Sequence, residues 1–485
     1  MTETAQPQEA PPVEPVRASG IEQRSIDWVP GNERHGKVST LGAIWFVTNV
    51  NLTGLATGVA TLAVGAGLFW TLVATVVGSA FGTFFMAFHS AQGPHLGLPQ
   101  LVQSRPQFGY LGAALTVWVF ALVNYLAYNT SDALLSGAAT NTLFSVPDTV
   151  GYLGSAAVAA VLALYGYRWI HRVERLLTWP LVAVLVLLAV AVLAHPGSTA
   201  QAWRPGDFAL ARVMTVFVIV AGFQLGWAPY VSDYSRYLPA NVGVRATFWW
   251  TYLPSAVSAV WVFVLGSAVA AVEPEQSDPV TAFKAVGDSL APGLGWAIVL
   301  LLFLGLLAIM AINQYGGSLG IISIMDSFRP VAATRRLRVA AIAAMAVAVF
   351  VIAQAVGADR FNEFYGNALV FLAYLFTPWT AINLVDFFFV RRGTYVIAEI
   401  FKRDGIYGLW GGRGITAYLV ALAAMAPFFV TEPFTGPAAR ALGNVDYSMF
   451  VGLPVAAVAY WALCRNLDLA HERELAAAEG ATTRL

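Results

Sequence analysis

In the stretch VNYLAYNTSDALL, Asn124, Tyr128 and Asp132 recur at i, i+4 and i+8, the spacing that puts them on one helix face. Asn129, three residues before Asp132, can share that side. In a second apolar run, AINQYGGSLG, Asn313, Gln314 and Tyr315 stand together. Amides there either bond a neighbouring helix or serve a planar ligand carrying both donors and acceptors. Phe223 and Trp227 stand at i, i+4 with Gln224 between them. Such a pair more often lines a core or a lipid face than a binding wall. Within a membrane, an ionisable side chain costs roughly 2.5–3.5 kcal/mol even on the mild insertion scale. Asp132 therefore needs a partner, a wet cavity or a proton, and reversible protonation is chemically available to a carboxyl there. A hydrated position near the outer helix end is the other reading of Asp132.

The elements that hold these residues follow from composition. Of 485 residues, 58% are hydrophobic and 11% charged, with mean hydropathy +0.66 and zero formal net charge. Soluble domains carry about 25% charged residues, so a single water-soluble globule is excluded. A neutral chain also lacks the basic surface that nucleic acid requires. The one cysteine, Cys464, excludes a disulfide framework and a thiolate metal cluster, and nothing in the sequence implies a cofactor.

A spanning helix needs about 20 mostly apolar residues. Twelve stretches qualify, near 39–65, 67–89, 110–139, 149–167, 174–194, 208–231, 246–272, 293–325, 337–356, 364–390, 414–431 and 446–464. With both termini cytoplasmic, 22 of the 27 Lys and Arg residues fall inside and five outside (Arg204, Arg212, Lys284, Arg360 and Arg440). That asymmetry supports a multi-pass protein of the cell membrane with an even number of spans and cytoplasmic ends. Residues 1–37 read as a disordered cytoplasmic tail and 465–485 as a second cytoplasmic tail. Residues 278–290 are too polar to span and suit a short surface helix. Residues 90–107, rich in Gly and Pro, suit a cytoplasmic loop that is partly re-entrant.

Two spans are poor uniform helices: TNVNLTGLATG (Thr48–Gly58) in the first and AGFQLGWAP (Ala221–Pro229) in the sixth. Glycine weakens a helix and Pro229 removes a donor. Unwound backbone at membrane depth is tolerated only where it is buried or lines a cavity. Matched interruptions five spans apart point to a transporter site between inverted repeats. Gly54/Gly58 and Gly78/Gly82 also fit small-xxx-small helix packing, which is the alternative explanation of the glycines.

Several long stretches in the right order resemble the nucleobase–cation symporter-1 family, the purine–cytosine permeases. They are His89–Tyr110, Gly226–Pro239, Asn313–Ser318 and Thr377–Tyr395, within a likeness running from about Gly31 to Cys464. The resemblance implies an all-α membrane protein of twelve transmembrane helices. Its five-plus-five inverted-repeat core (38–194 and 195–392) has broken helices 1 and 6, and two peripheral helices follow (393–464). It further implies a flat heterocyclic substrate held between aromatics of the third and sixth helices, with amides of the third and eighth on its edge. Carried onto this sequence, the third-helix aromatic is Tyr128 and its polar partner Asp132. The sixth-helix aromatic is Phe223 or Trp227 with Gln224 nearby, the eighth-helix amide is Asn313, and Asn49 and Asn51 flank the first break. Better-known members often carry Trp and Asn or Gln where this chain has Tyr128 and Asp132. Sodium-dependent members place Ser or Thr about a turn and a half before the eighth-helix amide, where this chain has Leu307 and Ala308. The expectation is therefore a nucleobase symporter for cytosine or purines, coupled to protons rather than sodium, with Asp132 as carrier. A same-fold symporter for allantoin, a hydantoin, uracil, a nucleoside or a pyridine-type vitamin is the alternative. Gly316–Gly320 formally matches G-x-S-x-G, but that motif needs a strand-to-helix turn, so an intramembrane enzyme is disfavoured, as is a passive channel without a filter motif.

Overall fold

The chain enters the membrane core as two helices, Ser39–Thr48 and Leu52–Ala63, meeting at 56°. Asn51 makes the break possible. Its backbone is extended (φ −153°), its side-chain oxygen accepts from Gly54 N at 2.8 Å, and its amide donates to Thr48 O at 2.7 Å. One side chain thus satisfies a free carbonyl of the first half and a free N–H of the second. A Cβ at Gly54 would come within 2.5 Å of Asn49 O and 2.9 Å of Val262, so only glycine fits there. A computed structural model describes residues 27–165, 167–198, 203–276, 278–329, 331 and 334–479.

The second to fifth spans are Leu68–Ser90, Tyr110–Phe144, Asp148–Tyr165 and Tyr167–Ala194. The sixth runs Leu210–Leu225, passes through a 3₁₀ turn at Ala228–Tyr230 and resumes as Val231–Ser235. Pro229 lies in the first turn of that 3₁₀ segment, where its missing N–H is not needed. The sixth span is therefore interrupted where expected, but it bends less sharply than the first. The seventh to tenth spans are Val244–Val272, Leu294–Phe328, Arg335–Val356 and Phe361–Val385. Among the described residues, nine helices are long and apolar enough to cross a membrane, ten with the bent pair; the shorter apolar helices Gly412–Phe428 and Ser448–Cys464 bring the bundle to twelve.

Packing reveals the repeat. The first span packs on the seventh and the second on the sixth, two pairings exchanged by swapping the first five spans for the next five. The fourth packs on the eighth and the ninth on the third in the same reciprocal way, as do the fifth on the eighth and the tenth on the third. Spans 1, 2, 6 and 7 form one four-helix group and spans 3, 4, 8 and 9 another. The eleventh and twelfth pack on each other and on the tenth. Gly58 lies against Phe263 O and Ser267 N of the seventh span, and Gly78 and Gly82 lie against Phe217 O and Ala221 O of the sixth. Those glycines serve close packing, while the Asn49–Asn51 break exists beside them.

Residues 90–107 are less a loop than a buried plug. They form short helices Gln92–Leu96, Val102–Ser104 and Arg105–Phe108, with only His95 and Leu101 partly exposed. Residues 278–290 fold as the surface helix Pro279–Leu290, which Asp278 caps by accepting from Thr281 N at 2.9 Å. Residues 1–26 of the expected disordered tail lie outside the described residues. Residues 27–37 are packed: Val29 is fully buried, and Arg34 donates to Val29 O (2.8 Å) and Pro94 O (3.0 Å). The carboxyl-terminal helix Ala470–Ala478 is docked through Glu472, which accepts from Arg391 Nε at 3.0 Å and Tyr407 OH at 2.8 Å. Arg391 also pairs with Asp386, a fully buried carboxylate that takes Tyr395 OH and Tyr460 OH at 2.9 Å each.

Candidate functional site

The third span's periodicity brings Tyr128 and Asp132 to one face, where both are buried. Thr53, in the first turn after the first-span break, donates to Asp132 Oδ1 at 2.5 Å, and Asn313 Nδ2 lies 3.5 Å from Oδ2. Among the described residues no cationic side chain pairs with Asp132. The hydrated-end reading of Asp132 does not hold, because its side chain has no exposed surface.

One turn away, Tyr128 is surrounded by three rings from two other spans. Trp227 faces it at 6.3 Å between centroids and 28° between planes, whereas Phe223 meets it edge-on at 5.6 Å and 83°. Tyr365 of the tenth span closes another side at 6.4 Å, its hydroxyl 2.9 Å from Thr57 Oγ1. A flat ring contacting both Tyr128 and Trp227 needs about 7 Å between them, two carbon contacts of roughly 3.5 Å. The observed 6.3 Å falls within about 1 Å of that. Phe223 offers Tyr128 no parallel face.

Polar atoms remain unused around this slot. Asn124 donates to Tyr230 OH at 2.6 Å and reaches Gly226 O at 3.4 Å, yet its Oδ1 is buried without a protein partner. Trp227 Nε1 is likewise buried and unpaired. A buried unsatisfied group costs about 1–3 kcal/mol, and such atoms in a native fold call for a ligand or water.

Other sequence candidates turn elsewhere. Asn49 Nδ2 donates to Ser255 O and Ser258 Oγ, both at 3.0 Å, and Gln224 Nε2 to Thr83 Oγ1 (2.6 Å) and Ser255 Oγ (3.1 Å). Both therefore brace the two interruptions against the seventh span. Asn51 is consumed by capping. Asn129 lies against Met310 and Gln314 of the eighth span once its amide is oriented to satisfy both, and Gln314 donates to Ala156 O at 3.2 Å. The eighth-span amides thus divide: Asn313 faces Asp132, and Gln314 binds a neighbouring helix. Gly316–Gly320 lies within the helix Leu294–Phe328, where Ser318 donates to Tyr315 O at 2.7 Å, so the formal G-x-S-x-G lacks the strand-to-helix turn that motif needs. Thr53, Thr57, Tyr230 and Tyr365 were not among the sequence candidates. Only the first two carried a signal, a Thr pair at i, i+4 directly after the break.

Known proteins resemble this chain in sequence and in fold. Residues 28–452 match the family model described as permease for cytosine/purines, uracil, thiamine, allantoin. YxlA of Bacillus subtilis (strain 168), named for purine-cytosine permeases, is 33% identical over 92% of this chain and 96% of its own length. The purine-cytosine permease fcyB of Emericella nidulans is 26% identical over 91% of this chain and 88% of its own. Mhp1 in its inward-facing conformation superposes with a TM-score of 0.73 at 17% identity, covering 97% of this chain and 99% of Mhp1. Mhp1 closed around bromovinylhydantoin, named there as a nucleobase-cation-symport-1 family transporter, gives 0.70 over 95% of this chain and all of its own. A multi-pass membrane protein with this fold, and with a family match over most of its length, is a permease and not an enzyme: the chain belongs to the cytosine/purine permease family.

Proposed function

We propose that this chain is a secondary active transporter that imports a nucleobase, cytosine or a purine, together with a proton by alternating access. The observation that carries the reading is Asp132: a fully buried carboxyl without a cationic partner, one helical turn from the Tyr128–Trp227 pair. A buried unpaired carboxylate is expensive, and a proton removes its charge. Stacking on Tyr128 and Trp227 is worth about 1–3 kcal/mol per aromatic face and tolerates many rings. Selection then falls to the edge groups Asn313, Asn124 and Asp132, where a mispaired ring leaves a buried polar atom unsatisfied. Leu307 and Ala308 bring no hydroxyl to the eighth span, which favours a proton over sodium as the coupling ion.

Asp132 belongs to the 3–4–8–9 group and Thr53 to the 1–2–6–7 group, so their bond joins the two bodies that alternating access must move. The repeats run 38–194 and 195–392, with termini in the cytoplasm. The tenth span packs on both the first and the sixth, while the fifth, its counterpart, makes no contact of that extent with either among the described residues. That asymmetry fits a state closed on the face opposite the termini. The test is uptake of labelled cytosine into proteoliposomes under an imposed pH gradient, with and without sodium. Competition by adenine, uracil, allantoin and a hydantoin separates the nucleobase reading from its same-fold alternatives.

A further inference from the structure

A second cavity lies on the backs of the helices that hold the site. It occupies about 1610 Å³ between the third, ninth, tenth and eleventh spans and the hairpin Val430–Thr431/Phe434–Thr435. Its walls are apolar, with Phe120, Ala127, Phe371, Leu419 and Ala423 among them. Phe371 (50% exposed) and Leu419 (58%) mark its open side, at a level of the bundle that faces hydrocarbon. Charge collects where the ninth-to-tenth connection meets the hairpin, on the membrane face opposite the termini. Arg360 stands there beside Glu363 and Glu432.

Three features of this cavity are incomplete within the protein. Two carboxyls, Glu363 and Glu432, stand at this end against one guanidinium, Arg360, so the lining carries an excess of negative charge. Arg360 uses Nε and Nη2 on the carbonyls of Val356 (2.8 Å) and Ala355 (2.6 Å), capping the ninth span, and its exposed guanidinium keeps further donors. Thr130 lines the cavity, is 1% exposed, and its hydroxyl has no hydrogen-bond partner. A Thr in a helix can bond back to the preceding turn; this hydroxyl does not, and it is left free to donate into the cavity.

We infer that this groove binds one phospholipid with a primary-ammonium headgroup, its acyl chains along the apolar walls and its polar part at the Arg360–Glu363–Glu432 end. The phosphate meets Arg360, the ammonium meets the paired carboxylates, and a glycerol ester oxygen accepts from Thr130. An anionic headgroup is opposed by two carboxyls against one guanidinium. A quaternary choline has no N–H to donate to them. Because Ala127 and Thr130 flank Tyr128, and Phe364 adjoins Tyr365, the lipid buttresses both helices from behind without touching the slot.

The test is lipid retention by the purified full-length protein after detergent washing, read by mass spectrometry of the extracted lipid. Phosphatidylethanolamine should be enriched about tenfold over its share of the source membrane, the equivalent of ~1.4 kcal/mol. Ala423→Trp fills the groove and should remove the enrichment. The double variant Glu363→Gln/Glu432→Gln should retain lipid but bind phosphatidylethanolamine and phosphatidylcholine equally. Thr130→Val, the mildest change, keeps the result interpretable if Ala423→Trp does not fold, and should lower retention severalfold. No enrichment in the unaltered protein overturns the inference, as does enrichment that survives both Ala423→Trp and Thr130→Val.

Discussion

Trp227→Ala tests the geometry of the substrate slot. Trp227 is the ring whose plane lies within 28° of Tyr128, and Phe223 meets Tyr128 at 83°. In the proposed slot, a heterocycle lying flat on Tyr128 would have its second face on Trp227, and Phe223 could not replace it without turning. Losing one of two stacking faces costs about 1–3 kcal/mol, which is roughly a 5- to 150-fold rise in Kd. Trp227→Phe keeps a flat face and should stay within about fivefold. Phe223→Leu removes only an edge contact, worth about 0.5–1.5 kcal/mol, and should cost about tenfold or less. Equilibrium binding of labelled cytosine to the purified protein measures all three. If Trp227→Ala binds within twofold of the unaltered protein while Phe223→Leu loses the larger share, the two rings have exchanged roles and the slot described here is wrong.

Thr53→Val removes the 2.5 Å donor to Asp132 and should reduce net uptake at least tenfold, consistent with about 1.5–3 kcal/mol for a hydrogen bond to a charged group, while Thr53→Ser stays near the unaltered rate. Initial rates in proteoliposomes decide it. Arg391→Ala leaves Asp386 and Glu472 buried without their cation and should destabilise the protein by about 3–5 kcal/mol. Thermal unfolding in detergent should show a clear loss, with proteolysis freeing the Ala470–Ala478 helix first. Gly54→Ala forces a Cβ toward Asn49 O and Val262 and should lower both stability and uptake, whereas Gly67→Ala at the start of the second span meets open space and costs only the strain of its positive φ.

The fold was legible because a bilayer imposes simple rules. Apolar length set the twelve spans, and the Asn and Gly density of Thr48–Gly58 marked the sharp break. Pro229 marked the sixth-span interruption, yet a proline in the first turn of a 3₁₀ segment is nearly strain-free, so the bend there is mild. The direction of each amide was not legible. Asn49, Gln224 and Gln314 have the same side-chain chemistry as Asn313, and only tertiary packing sends the first two to Ser255 and the third to Ala156. Tyr230 and Tyr365 lacked any signal, since a tyrosine in an apolar span packs as readily against lipid or core as beside a site, and only tertiary packing brings their hydroxyls to Asn124 and Thr57. Residues 27–37 carried one that polar composition obscured: Trp28 and Val29 are apolar anchors in a polar stretch, and both bond to the plug at Leu96 O and Gly97 O.

We propose that Asp132 carries the proton that drives uptake. Simultaneous recording of cytosine and proton entry into proteoliposomes, for the unaltered chain and Asp132→Asn, tests it most directly. In the unaltered chain, proton entry should be locked to cytosine entry. Asp132→Asn should exchange cytosine without proton movement and should not accumulate it above the outside concentration. Uphill, proton-linked uptake by Asp132→Asn would contradict it.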